Sequence, residues 1–173
     1  LLILFFSMTV SFAADNETQL EVNDANDIIG DDVPSNATLL DGGTFEDIQK
    51  AVDQDEDTVN LTGTFNFTDK RITVSKNVTF DGNQKTVLDG NGNSGGFFFS
   101  GEGNTVIFKG LTFRNFNSSD EIIQIGYNSF ADCSFIDCNF FDNAAGIKLS
   151  YGGVNATFRY VNCNFSNNKD LGL

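Results

Sequence analysis

The phrase Cys138-Asn139-Phe140-Phe141-Asp142-Asn143 returns 25 residues later as Cys163-Asn164-Phe165-Ser166-Asn167-Asn168. Fainter copies lie upstream, as Val78-Thr79-Phe80-Asp81-Gly82-Asn83 and Leu111-Thr112-Phe113-Arg114-Asn115-Phe116. The Phe positions 80, 113, 140 and 165 are separated by 33, 27 and 25 residues. A β-rich unit of this length cannot bury its apolar side alone and has to stack on a copy of itself. The repeat therefore restricts the chain to a wound, rung-on-rung architecture.

Short apolar alternations fill the space between the copies. Val59, Leu61, Phe65 and Phe67 alternate with Asn and Thr, and Ile72 with Val74, Val106 with Phe108, Cys133 with Phe135 and Phe158 with Tyr160 continue the pattern. Each run has the period of a half-buried strand and is bounded by Gly, Asn, Asp or Ser. In a parallel β-helix, rungs pair about 4.8 Å apart, so equivalent side chains stack: Phe over Phe inside, Asn over Asn at a turn. The 19 Phe and absent Trp suit a narrow interior where an indole N–H would lack a partner. Asn tolerates the left-handed backbone of tight corners. A β-sandwich accounts for the alternation but not for the recurring phrase. The fold expected is all-β: a right-handed parallel β-helix over 43–173 with a short N-terminal capping helix.

That helix is predicted over 44–52. Thr44 stands at the N-cap with Asp47 three residues on, although Glu or Gln is commoner there, and Phe45, Ile48 and Val52 share one face. Placed before the first rung, it would plug an apolar end that otherwise invites edge pairing. Residues 14–42 read as an acidic flexible leader. Residues 1–13 read as the remnant of a secretory signal peptide: an apolar run too short to span a bilayer, then Ser11-Phe12-Ala13 and Asp15. The chain stops at Leu171-Gly172-Leu173 with neither cap nor anchor in view, so further rungs or domains are expected downstream.

Charge is uneven. Of a net −14, residues 15–57 contribute −13 and residues 58–173 only −1. The body thus lacks the clustered Lys and Arg that nucleic acid or an anionic membrane surface would need. With no His, the usual general base, the usual zinc ligand and the Ser-His and Cys-His pairs are missing.

Four constellations could carry chemistry. Cys138 and Cys163 hold the same place in successive phrases, where Leu111 and Val78 stand upstream, so they read as small core residues; a Cys138–Cys163 bridge stays open as an alternative. The eight residues Val78, Phe80, Leu111, Phe113, Cys138, Phe140, Cys163 and Phe165 are therefore assigned to one inward ladder. Asp89-Gly90-Asn91-Gly92-Asn93 opens like a calcium loop but has Ser94 and Ser100 where Gly and an acid belong, and reads as a turn. Asp132, Asp137 and Asp142, five residues apart, could mark one exposed edge. No cofactor is called for, with weak calcium binding as the alternative. Asn-x-Ser/Thr sequons begin at Asn16, Asn36, Asn60, Asn66, Asn77, Asn117, Asn155 and Asn164, against about three expected by chance. They are candidate glycosylation sites, with Asn164 expected to be hindered by its inward Phe neighbour.

The stretches Gly43–Val52, Val59–Phe65, Ile72–Asn83, Val87–Gly90 and Asn104–Asn115 resemble the opening of right-handed parallel β-helix domains of the pectin-lyase-like superfamily. The succession is most similar to adhesin-like surface proteins of methanogenic archaea. The Phe-x-x-Asn units and Gly152-Gly153-Val154 also echo polymorphic membrane protein repeats. The resemblance covers 43–173 and implies export, display at the cell surface and attachment to surface glycans or other cells, with membrane association only through an anchor not in view. It carries over no catalytic residue: lyases of this architecture pair an Arg base with calcium-bound Asp groups, and neither Arg114 nor Arg159 has such company. A polysaccharide lyase or glycosidase, which would need two suitably spaced carboxylates, is the rival reading, and a passive spacer a third.

Overall fold

The computed structural model describes residues 39–93, 95–117, 121–126, 129, 131–144 and 156–169. The signal-peptide remnant, most of the leader, the sequons at Asn16, Asn36 and Asn155, and Gly152-Gly153-Val154 lie outside the described residues. The elements, in order, are β1 (Leu39–Thr44), α1 (Phe45–Asp53), β2 (Thr58–Asn66), β3 (Ile72–Val74), β4 (Val78–Asp89), β5 (Phe97–Phe99), β6 (Asn104–Arg114), β7 (Ile123–Ile125), β8 (Ala131–Ile136), β9 (Asn139–Phe141), β10 (Thr157–Val161) and β11 (Asn164–Ser166).

Every strand pairing is parallel, in two sheets. One runs β1-β2-β4-β6-β8-β10 with β9 and β11 beside it, and the other runs β3-β5-β7. This is a parallel β-helix of about 4 turns. The turns built from β2 to β7 each have three faces. The long strands β2, β4 and β6 bend around a corner and supply two of them, whereas in later turns β8 and β9, or β10 and β11, supply those two separately. The third face is β3-β5-β7.

Two aromatic ladders fill the interior, not one. On the first face Val59, Phe80, Phe108, Phe135 and Tyr160 stand in register. On the second face Phe65, Leu88, Phe113, Phe140 and Phe165 do so. Rings within each ladder stack nearly parallel: Phe108 on Phe135 at 5.0 Å and 8°, Phe113 on Phe140 at 4.8 Å and 9°, Phe140 on Phe165 at 4.9 Å and 6°. Across the interior the ladders meet edge to face, as Phe108 meets Phe113 at 5.6 Å and 77°. Both arrangements are favoured by the ring quadrupole, by roughly 0.5–1.5 kcal/mol per pair beyond the area buried.

The single ladder expected from sequence is thereby corrected. Val78 and Phe80 belong to the first face, in register with Val106 and Phe108, while Leu111 and Phe113 pair with Thr86 and Leu88 on the second. All eight assigned residues do face the interior: six are buried, and Cys163 and Phe165 are half-buried against the core. The second-face spacings become 25, 27 and 25 residues from Leu88 onward, and the first-face spacings 28, 27 and 25 from Phe80.

The corners use left-handed residues. Between the first and second faces stand Gly110, Asp137 and Asn162, with φ of 61°, 54° and 52°. Gly110 is required there, because a Cβ would lie 2.6 Å from the Gln84 backbone nitrogen of the longer corner one turn below. After the second face come Asn115, Asp142 and Asn167, at 58°, 54° and 55°. The left-handed residue in the recurring phrase is thus Asp142 or Asn167. The following Asn143 and Asn168 instead turn their side chains inward.

Among the described residues the winding is already present at Leu39, inside the stretch expected to be leader: Leu40 packs on the core and β1 pairs with β2. The helix α1 then takes the place of a third-face strand and buries Phe45, Ile48, Ala51 and Val52 on the turn above. Phe45 meets Phe67 edge to face at 5.5 Å. The Gln49 side chain completes the plug by imitating a strand: its Nε2 donates to Thr73 O at 3.2 Å, and Thr73 N donates to its Oε1 at 2.6 Å. The free edge of β3 is thereby satisfied.

Asp47 fixes the start of α1. Its carboxylate accepts from the Thr44 backbone nitrogen at 3.0 Å and from the Thr44 hydroxyl at 2.8 Å, and pairs with Lys50 at 2.9 Å. Lys50 first, then the two Thr44 bonds, hold its pKa down at about 2, below the ordinary 3.8. A depressed carboxyl pKa stabilises the fold above its unfolded value, and the effect is lost as pH falls through the folded value. The Thr73 amide is therefore expected to exchange faster as pH drops from 3.8 to about 2, beyond the intrinsic pH effect on exchange. Asp47→Asn should abolish that sensitivity; an unchanged profile in this variant would contradict the role given to Asp47.

Candidate functional site

Alternation along the strands decides what the outer surface presents. On the second face one outward column is Thr64, Val87, Thr112, Asn139 and Asn164, and its neighbour is Asn66, Asp89, Arg114, Phe141 and Ser166. Stacking sets Asp89 directly beneath Arg114, whose Nε donates to Asp89 Oδ2 at 2.8 Å. Asn115 Nδ2 adds contacts of 3.2 and 3.3 Å to the same carboxylate, and Asn91 N donates to its Oδ1 at 2.8 Å. Burial alone would raise the Asp89 pKa, but the Asn91 amide, Arg114 and Asn115 outweigh it and hold the group below the usual carboxylate value.

Those bonds bear on two sequence readings. The segment Asp89–Asn93 is a tight turn closed by Asn93 N donating to Gly90 O at 2.8 Å, with the Asp89 oxygens engaged within the protein. Arg114 is committed to Asp89, and Arg159 lies on the first face in register with Ser134, so the two arginines do not converge. Asp132, Asp137 and Asp142 do not form one edge either: the first lies on β8, the second at the corner before β9 and the third at the corner after it. A five-residue step carries the chain across a face, not along a column. Among the described residues, no three His, Cys, Asp or Glu side chains come together.

The cysteines are free thiols. Cys138 Sγ donates to Phe108 O and Cys163 Sγ to Phe135 O, each at 3.4 Å, so the stacked pair repeats one contact turn after turn. Burial pushes the Cys133 and Cys138 thiols up to about 12, which makes them poor nucleophiles.

Beyond the second face the corner opens into a shallow groove of about 400 Å³, lined by Asn115, Asn117, Asp142, Asn143, Asn167 and Lys169 among others. Its floor is paired backbone: Gly92 N donates to Asn115 O, Ala144 N to Phe116 O and Lys169 N to Asn143 O, at 2.7–2.9 Å. An asparagine ladder stiffens it from inside. Asn143 is 1% exposed, its Nδ2 donates to Phe113 O at 2.9 Å and to Asn168 Oδ1 at 3.0 Å, and its Oδ1 accepts from Phe116 N at 3.1 Å. One turn up, Asn168 Nδ2 repeats the contact to Phe140 O at 2.9 Å. The recurring Asn signalled this ladder in the sequence; the groove that it supports had no separate signal.

Two further clefts differ in character. One, of about 540 Å³, lies between α1 and the β2–β3 connection, with Lys70 paired to Glu46 at 3.2 Å. The other, of about 480 Å³, lies over the β4 corner, where Asp81 pairs with Lys109 at 3.0 Å. Of the sequons, Asn66, Asn77, Asn117 and Asn164 are exposed and Asn60 is half-buried. The hindrance expected at Asn164 is absent, because alternation turns Asn164 outward while Phe165 turns in. No helix among the described residues is long and apolar enough to cross a membrane. No protein-family model matches the chain, and comparisons with curated proteins and with solved structures give no match.

Proposed function

We propose that the protein is a secreted or cell-surface, adhesin-like β-helix that attaches to glycans or to other cells, within the pectin-lyase-like type of architecture. The observation that carries this reading is the rigid polar strip made by the second face and its corner groove. There, one outward column carries Thr64, Thr112, Asn139 and Asn164, broken once by Val87, beside a corner groove whose floor is paired backbone. Stacked, repeated side chains suit a repetitive ligand held by many weak contacts. Excess sequons and the apolar N-terminal run support export. A lyase draws less support, since Arg114 is locked to Asp89 and stands on a different face from Arg159.

The test is a binding and turnover experiment on the same preparation. Saturable binding to whole cells or arrayed glycans, with no release of unsaturated or reducing ends in the presence of calcium, is the expected result. Calcium-dependent turnover lost on Asp or Arg substitution would replace attachment with catalysis. Absence of both binding and turnover would favour a passive spacer.

A further inference from the structure

We infer that Phe141, with the corner groove that begins at the next residue, forms a binding site for an uncharged glycan. This rests on the attachment reading above and narrows it to one place and one ligand class. Among the described residues only Leu39 and Phe141 are large exposed hydrophobics, and Phe141 is 39% exposed at the end of β9, where the second face meets the corner. Its cross-strand neighbours are Arg114 and Ser166, and Asn139 precedes it by two residues on the same outward side.

A lone ring in a polar surround is a poor anchor for protein or lipid, which favour a contiguous apolar patch. A sugar ring matches it better, having an apolar C–H face to lie on the aromatic ring and a rim of hydroxyls to meet hydrogen-bonding side chains. Asp142, Asn115 and Asn167 provide such groups in the adjoining groove, whose volume of about 400 Å³ suits a short saccharide. The charges favour a neutral ligand: Asp142 and Lys169 balance within the groove, and the Arg114 cation is matched by Asp89. A uronate or sulfated chain would meet Asp142 without a surplus of positive charge. The asparagine ladder and paired floor hold these groups in place before binding, which lowers the ordering cost.

The experiment uses the full chain produced without glycosylation, because glycans on Asn117 or Asn164 would cover the site. Neutral oligosaccharides of glucose, mannose, galactose and N-acetylglucosamine are arrayed beside oligogalacturonates, and hits are titrated calorimetrically. The expected result is saturable binding to at least one neutral probe, about tenfold weaker in Phe141→Ala and retained in Phe141→Tyr. The variant removes an exposed side chain, so its denaturation midpoint should stay at the parent value. Neutral binding unaffected by Phe141→Ala overturns the assignment. Binding to oligogalacturonates alone, or to whole cells with a blank array, overturns it but leaves attachment standing. Failure to bind any probe or any cell overturns both.

Discussion

Phe108→Ala is expected to lower stability by about 3–5 kcal/mol, the range for truncating a fully buried aromatic residue. Phe108 is 0% exposed and stacks between Phe80 at 5.2 Å and Phe135 at 5.0 Å. It also meets Phe97 edge-on at 4.9 Å and Phe113 at 5.6 Å, so one truncation removes packing from all three faces. The neighbours cannot collapse into the void, because each is pinned by its own strand register. Urea denaturation should show the shift, and the outward-facing Phe141→Ala provides the contrast, staying within about 0.5 kcal/mol. Equal losses from the two variants would mean that Phe108 is not at the crossing of the ladders.

Asn143→Leu should cost roughly 2–4 kcal/mol although it adds apolar volume at a buried position. Leucine cannot accept from Phe116 N or donate to Phe113 O, and both backbone groups are left without those partners in the interior. The side-chain contact with Asn168 Oδ1 is lost as well, leaving that oxygen only the Asn143 backbone nitrogen. Asn168→Leu, at a half-buried position one turn higher, should cost less. Amide exchange gives a second readout: Phe116 should lose protection in Asn143→Leu before the first-face strands do. Leucine at 143 leaving both stability and Phe116 exchange unchanged would remove the ladder from the list of stabilising features.

Much of the winding was legible because its determinants are local. The period-two alternation marks which side chains turn inward, and the recurrence of Cys-Asn-Phe shows that later turns copy earlier ones. The cap was legible too, from Thr44, Asp47 and the apolar face of α1. Register was harder. Phe80-Asp81-Gly82-Asn83 resembles Phe140-Phe141-Asp142-Asn143 because both put a Phe just before a left-handed corner. They are different corners, and the one in β4 carries extra residues between Asp81 and Thr86, which shifts the register there. A corner insertion leaves no mark in the alternation on either side. Leu88 further concealed its place beneath Phe113 by not being aromatic.

The site was less legible for a physical reason. Outward residues escape the packing constraint, so their identities repeat only in part: Thr and Asn recur in one column, whereas the column holding Phe141 changes at every turn. Phe141 looks like any core Phe until the strand places it opposite Phe140. Gln49, too, reads as a solvated helix residue, and only the open edge of β3 makes it a cap. Arg114 and Asp89 stand 25 residues apart and become partners only through stacking.

The outer surface, the groove and the pairing of Arg114 with Asp89 all follow from the two-ladder register. Interstrand backbone nuclear Overhauser effects on isotope-labelled protein test it directly. Contacts are expected between 78–81 and 106–109 and, separately, between 86–89 and 111–114. Contacts joining 78–81 to 111–114 would restore a single ladder and contradict the arrangement described.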